Sequence, residues 1–351
     1  MIRGRCFVQK PRQLPPTAQD RPHRDESPFS PAESLIAEST NMLYRTVSTP
    51  LLSVLVGILW VNAVSAQVEL SPAFQEGSRF ETQEISSSQQ TLSIAGMDVV
   101  TKTESVATIV SVVGKRNTAG HLEVTERTKA LQVSINAQGM EYFFDSANPD
   151  KRGNSPLEIF RDVHKLSTRM TPIVVYDKDL RVREVKINDG LLNSLPAAAR
   201  NLAKDQFAPQ TLATAAQQEL AFFPGKPVKA GDSWIRQETL TLDSGQALVF
   251  QIQYTYDGTV DTNGVKLDKI TRQPLKVKLT LADDAPLPFK LKESKLKPEQ
   301  TGTLLFDRAR GRVVERKESM RITGDITFIA NGNDLPARLQ LTIKSETTET
   351  P

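Results

Sequence analysis

Few side chains in this 351-residue chain have the type and spacing to do chemistry. Asp162 and His164 bring a carboxylate and an imidazole within two positions. They fall in a segment with helical periodicity, where residues two apart do not share a face, so no catalytic dyad is expected. His121 opens a strand and reads as a solvated edge residue. Asp283 and Asp284, with Asp257 or Asp261, would offer oxygens to Ca²⁺. Such a site needs about six or more ligands, and a solvated loop is the simpler reading. The basic run KLKESKLK, Lys290 to Lys297, would meet anionic headgroups or an acidic polymer. Glu293 interrupts it, which favours a solvated face. Asp177 and Asp307 stand at turn entries, where a carboxylate accepts local backbone N–H groups, and are read as structural. No G-x-S-x-G, H-E-x-x-H or P-loop pattern occurs. The residues point away from an enzyme: no catalytic residue, no metal ligand and no cofactor is assigned.

Composition narrows the classes further. The chain carries 44 Lys and Arg against 41 Asp and Glu, with one Cys and three His. A secretory signal explains the stretch from Met42 to Ala66. Arg45 supplies the charge, Leu51 to Val61 the apolar core and Val64-Ser65-Ala66 the small-residue end, so cleavage is placed between Ala66 and Gln67. The apolar run is shorter than the roughly 20 residues of a membrane span. Residues 1–41 hold six of the 21 prolines and Cys6, and read as a mis-assigned or disordered extension. The rest, from Gln67, has 37 basic and 36 acidic residues and no cysteine. That balance excludes a nucleic-acid footprint, and disulfides are excluded outright. No stable membrane span is expected after cleavage.

The elements that must position these residues are mostly strands. Leu122, Val124, Leu131, Val133 and Ile135 alternate with polar residues, as do Leu335 to Ile343. A short helix is predicted from Pro156 to about Ser167. Leu191, Leu192, Leu195, Ala199 and Leu202 predict a helical stripe in which Pro196 lies near the first turn or kinks it, and a second helix covers Pro209 to Ala221. Asn263-Gly264 signals a hairpin. Residues 67–188 form a first β-rich half, 189–223 a helical connector and 224–351 a second β-rich half.

The halves look related. GSRFETQE (77–84) parallels GDSWIRQE (231–238), and LQVSI (131–135) parallels LKVKL (275–279). TPIVVYDKDLRVREVK (171–186) parallels TGTLLFDRARGRVVERK (301–317) with one inserted residue, placed at Gly311. Matches in the same order point to an internal duplication. The expected fold is mainly β: two related antiparallel halves, curved and half-barrel-like, with a central helical segment.

Pro224 to Trp234 reads P-G-x-x-V-x-x-G-D-S-W, with Gly231, Asp232 and Trp234 at its end, and Phe306 to Val313 reads F-D-x-x-x-G-R-V. On these motifs the chain resembles a family of uncharacterised exported bacterial proteins, a domain of unknown function, over most of residues 70–345. The resemblance implies no catalytic residues. A looser likeness of architecture links it to periplasmic lipoprotein and lipid carriers, whose curved sheet wraps a few helices. Three functions are carried forward. The first is an exported binding or carrier protein for an apolar or envelope-derived ligand. The second is a structural or protein-interaction module of the cell envelope, and the third a hydrolase.

Overall fold

The computed structural model describes residues 67–242, 245–282 and 287–350. The segment 1–66, with Cys6, the export signal and Ala66, lies outside the described residues, as do Asp283 and Asp284. Twelve strands form one antiparallel sheet that does not close. They are β1 (Arg79–Ile94), β2 (Met97–Val113), β3 (Leu122–Ala137), β4 (Met140–Asp145), β5 (Ile173–Tyr176), β6 (Val182–Lys186), β7 (Ser233–Thr241), β8 (Gln246–Thr262), β9 (Val265–Leu281), β10 (Lys290–Asp307), β11 (Arg312–Ala330) and β12 (Asn333–Thr350). The spatial order is β6-β5-β3-β2-β1-β12-β11-β10-β9-β8-β7, with β4 beside β3. The first and last strands are neighbours: Glu81 to Ile94 pairs with Ala337 to Thr350. Period-two patterning decides which face turns inward. On β12, Ala337, Leu339 and Leu341 are buried, while Arg338, Gln340 and Lys344 are exposed.

The β5–β6 and β10–β11 hairpins share an irregularity. The register slips between Val175 and Tyr176 in one and between Leu305 and Phe306 in the other, each just before the turn. Asp177 accepts hydrogen bonds from the amides of Asp179 and Arg181, and Asp307 from those of Ala309 and Arg310. The left-handed residue of the first turn is Leu180, with φ of 58°, and that of the second is Gly311, with φ of 69°. Gly311 therefore matches Leu180, and the extra residue lies among Arg308–Arg310 rather than at Gly311.

The helices cover part of the core face. Pro156–Ile159 is a 3-10 turn whose Leu157 amide donates to the Ser155 hydroxyl, and it leads into α1 (Phe160–Arg169). The stripe read as one helix is two, α2 (Asp189–Asn193) and α3 (Ala197–Gln206), because Pro196 cannot continue the turn before it. The break rotates the buried face onto Ala199, Ala203 and Phe207, which pack on Val163, Leu166 and Met170. Leu202 is left 42% exposed, contrary to the expected stripe. The last helix, α4 (Pro209–Ala221), lays Leu212, Ala213, Ala216 and Leu220 on a cluster of Val113, Leu122, Val124, Val174 and Tyr176.

α4 also meets both outermost strands. Gln217 accepts from the Val182 amide of β6 at 2.9 Å, and Gln218 from the Thr239 amide of β7 at 3.4 Å. Its C-terminal carbonyls, which have no partner within the helix, are held from β7. Trp234 Nε1 donates to Phe222 O at 2.5 Å, and Arg236 donates to Ala221 O and Phe223 O at 3.0 and 2.7 Å.

The chain ahead of β1 is equally tied down. Val68 and Val228 exchange backbone hydrogen bonds of 2.8 and 2.9 Å, Leu70 is buried, and the Ala73 amide donates to Gly311 O at 2.8 Å. A Cβ on Gly311 would stand 2.5 Å from the Ala73 nitrogen and 2.8 Å from its Cα. Gly311→Ala should therefore combine left-handed strain of about 1–2 kcal/mol with displacement of the 67–74 segment. Gly332→Ala, also at positive φ but with nothing within 4 Å of its Cβ, carries the strain alone. Chemical denaturation should show a loss at Gly311 at least about twice that at Gly332. Equal losses would mean that the 73–311 contact is not tight.

Candidate functional site

One rung of the core face crosses eight strands: Ser105, Ser86, Ser345, Glu318, Gly302, Arg272, Tyr254 and Trp234 are successive partners from β2 to β7. At Gly302 the strand offers no side chain, so Arg272 reaches over β10 and donates to Glu318 on β11 at 2.6 Å. Arg272 also pairs with Glu238 of β7, and its Nε donates to the Tyr254 hydroxyl at 3.2 Å while that hydroxyl donates to Glu238. Glu318 lies 3.9 Å from Arg316, and Arg316 binds Glu219 of α4 at 3.0 Å. Charge thus alternates along Glu238, Arg272, Glu318, Arg316 and Glu219. Arg272 is only 7% exposed, and a buried guanidinium with two carboxylates satisfies the rule that buried charge must be paired.

The alternation fails at its end. Glu84 of β1, one rung from Ser86, and Glu126 of β3 face the same region without a cation of their own. Both are exposed to water, yet protein surrounds them on several sides. Reduced hydration first, and then the charge of Glu219, raise the Glu84 carboxyl above its ordinary range, while Arg316 opposes the rise. Glu126 is raised by the same loss of hydration, by Glu219 and by Glu84. The buried phenol of Tyr176 is likewise pushed up by burial, Glu126 and Glu219.

Around these carboxyls the core face is thinly covered. Ser86, Ser88 and Gln90 of β1, Thr101, Thr103 and Ser105 of β2, and Ile343, Ser345 and Thr347 of β12 point inward and remain half-exposed. On one side lies the large apolar cluster of the second half, with Leu339, Leu341, Ile322 and Phe306. On the other lie the smaller clusters under α4 and around Phe144. Small side chains on three adjacent strands leave a strip between them. The Ser86 and Ser105 hydroxyls share a hydrogen bond of 2.8 Å.

The residues singled out by the sequence lie elsewhere. Gly231 (φ 90°) and Asp232 turn the chain into β7, with Asp232 accepting from the Lys229 amide, and Trp234 stacks on Tyr254 at 5.8 Å. Asp177 is half-exposed and Asp307 buried, each at its turn. Asp162 faces Arg152 at 3.9 Å, while His164 bonds Tyr142 at 2.8 Å. Burial, with Arg161 nearby, drives the imidazole pKa down to about 4, so it is neutral. Asp257 accepts from Thr271, and Asp261 from the Gly264 amide. Among the described residues no group of His, Cys, Asp or Glu is placed to hold a metal ion. Glu84 and Glu238 stand at the same offset in the similar segments 77–84 and 231–238, the one signal in the sequence that marked them.

A family model, that of a family of unknown function (DUF6263), matches residues 119–313, more than half of the chain. The chain belongs to this family. No curated protein matches it. Among solved structures, one of lipovitellin, titled for lipid–protein interactions, aligns at 10% identity and a TM-score of 0.42, covering 80% of this chain and 26% of that one. The chain thus spans about a quarter of that protein's length. The Pseudomonas aeruginosa channel OccK5 aligns at 8% identity and a TM-score of 0.22, covering 80% and 100%. A Bacteroides fragilis protein described as exported, with a YmcC-like fold, aligns at 10% identity and a TM-score of 0.19, covering 78% and 98%. Likenesses at these scores carry no argument about fold or function. Among the described residues of this family member no helix is long and apolar enough to cross a membrane.

The unpaired carboxyls give a measurable pH signature. A carboxyl raised in the folded state contributes stability that is fully present below its unfolded pKa and is lost as pH rises through the folded one. Glu126→Gln should therefore match the wild type in melting temperature near about pH 4 and exceed it near about pH 8. Glu84→Gln should do the same, and the double variant should gain less than the sum, because the Glu84 charge is among the causes that raise Glu126. A wild type as stable as the variants at the higher pH would remove this reading.

Proposed function

We propose that the protein is an exported, non-enzymatic binding or carrier protein, and that its ligand is an amphipathic molecule derived from the cell envelope. Export rests on the charged, apolar and small-residue pattern of Met42 to Ala66. The observation that carries the binding reading is the half-exposed strip of small side chains on the inner side of β12, β1 and β2. A filled core would bury these positions under large residues. Here they lie between apolar clusters and end at Glu84 and Glu126. Apolar parts of a ligand fit the flanking clusters, and a hydrogen-bond donor or cationic end fits the two carboxyls.

The related order of pairings in the two halves, β1-β2-β3-β5-β6 against β7-β8-β9-β10-β11, supports a duplicated origin. In this view the strip lies where the halves meet. An interaction module working through open sheet edges is less favoured, because α4 engages both outermost strands.

Native mass spectrometry of the exported chain, followed by solvent extraction, tests the reading. A lipid-sized adduct is expected, lost when Ser86→Trp and Ser345→Trp fill the strip. An exported chain that carries no adduct and takes up no fluorescent fatty amine would sink it. N-terminal sequencing should give Gln67 as the first residue, and an intact segment before it would remove the export claim.

A further inference from the structure

The outer face of the central strands has a chemistry of its own. Two depressions of about 600 and 340 Å³ follow one another across β1, β12 and β11, the larger reaching β10. Strand alternation puts Ser87, Gln89, Ser319, Gln340 and Thr342 on this face, with the Lys317–Glu346 ion pair at the larger depression, and no aromatic ring lines either. A diagonal of cations runs along this face: Lys344 on β12 at the larger depression, Arg321 on β11 at the smaller, and Lys297 on β10 beyond both. The register defines the line. Arg321 pairs with Thr342, two positions from Lys344, and Thr323, two positions from Arg321, pairs with Lys297. Diagonal neighbours in a sheet lie about 7–8 Å apart.

All three are exposed, and none makes an ion pair or side-chain hydrogen bond among the described residues. The neighbouring cations differ. Lys317 binds Glu315 and Glu346, Lys295 binds Glu293 and Lys292 binds Asp334. Glu299 stands opposite Arg321 in the register without closing a salt bridge. Like charges on adjacent strands repel, and an extended polyanion lying along the row relieves them.

We infer that this outer groove is a second binding site, distinct from the inner strip, and that it takes an acidic polysaccharide. The hydroxyl and amide side chains match sugar hydroxyls, and the three cations match regularly spaced carboxylates. A single-stranded nucleic acid would want aromatic rings for stacking, and a duplex is the competitor the test includes. A bilayer surface would want an apolar rim, and the groove has only Ile85.

The test titrates the mature chain with polygalacturonate oligomers and with dextran of similar length. Polygalacturonate should bind at low salt and be released as salt rises, and dextran should not bind. Combining Lys297→Gln, Arg321→Gln and Lys344→Gln should weaken binding by about tenfold or more, about 1.4 kcal/mol, with the melting temperature kept. Arg321→Glu alone serves if the triple variant folds poorly, and should weaken binding in the same direction. Glu84→Gln, on the opposite face, should leave polygalacturonate binding intact, so this site and the inner strip fail or stand separately. No binding by the wild type, or binding indifferent to these changes, overturns the inference. Duplex DNA or anionic phospholipid vesicles binding as tightly as polygalacturonate would also overturn it, since the face would then be attractive to any polyanion.

Discussion

An antiparallel sheet that does not close has two outer strands whose backbone groups need partners, and the rest of this structure depends on how that need is met. The partner is α4. Its adjacent glutamines reach one edge strand each, and Trp234 and Arg236 of the second edge hold its C-terminal carbonyls. Once α4 is fixed there, its leucines and alanines seal the core of the first half, and Glu219 is carried over the inner face to Arg316. The charged network is therefore a product of edge protection as much as of sheet register. Without α4 the sheet would present two free edges, and Arg316 would lose its main carboxylate.

The network also shows why polar groups accumulate at the junction of the halves. Each half has its own apolar cluster, and the strands that join them, β12, β1 and β2, carry Ser and Thr on their inner side. Arg272 crosses β10 at a glycine, residue 302, where a Cβ would stand 3.4 Å from the Arg272 Cβ. Buried charge of this kind adds little net stability over a well-packed apolar substitute, but breaking one partner is costly. It fixes the registers of β7, β9 and β11 relative to one another.

Much of the fold was legible along the chain because its signals are local. The alternation of β12, the Asn263-Gly264 turn and the proline-led starts of the 3-10 turn and α4 all depend on neighbours in sequence. So does the role of Asp177 and Asp307 as turn residues. The misreadings have local causes too. Pro196 starts a second helix, and the rotation between the two leaves Leu202 exposed rather than on the expected stripe. The glycine at 311 was taken as the extra residue, because a leucine in the left-handed conformation at 180 was not anticipated. The inner site was not legible. Glu84, Glu126, Glu219, Glu238 and Arg272 are brought together only by pairings that span most of the chain, and a single sequence does not encode strand order in any short pattern. The repeated offset of Glu84 and Glu238 was visible, but nothing in it distinguished an inward carboxyl from a solvated one.

The pairing of β1 with β12 has a bearing on timing. Strand β1 emerges from synthesis well before its partner, residues 337–350. Until then one side of β1 has no native neighbour, and the strip between the halves has only one wall. Contacts of such sequence separation form slowly, because loop closure precedes any gain from pairing. The strip between the halves therefore gains its second wall only when β12 docks on β1.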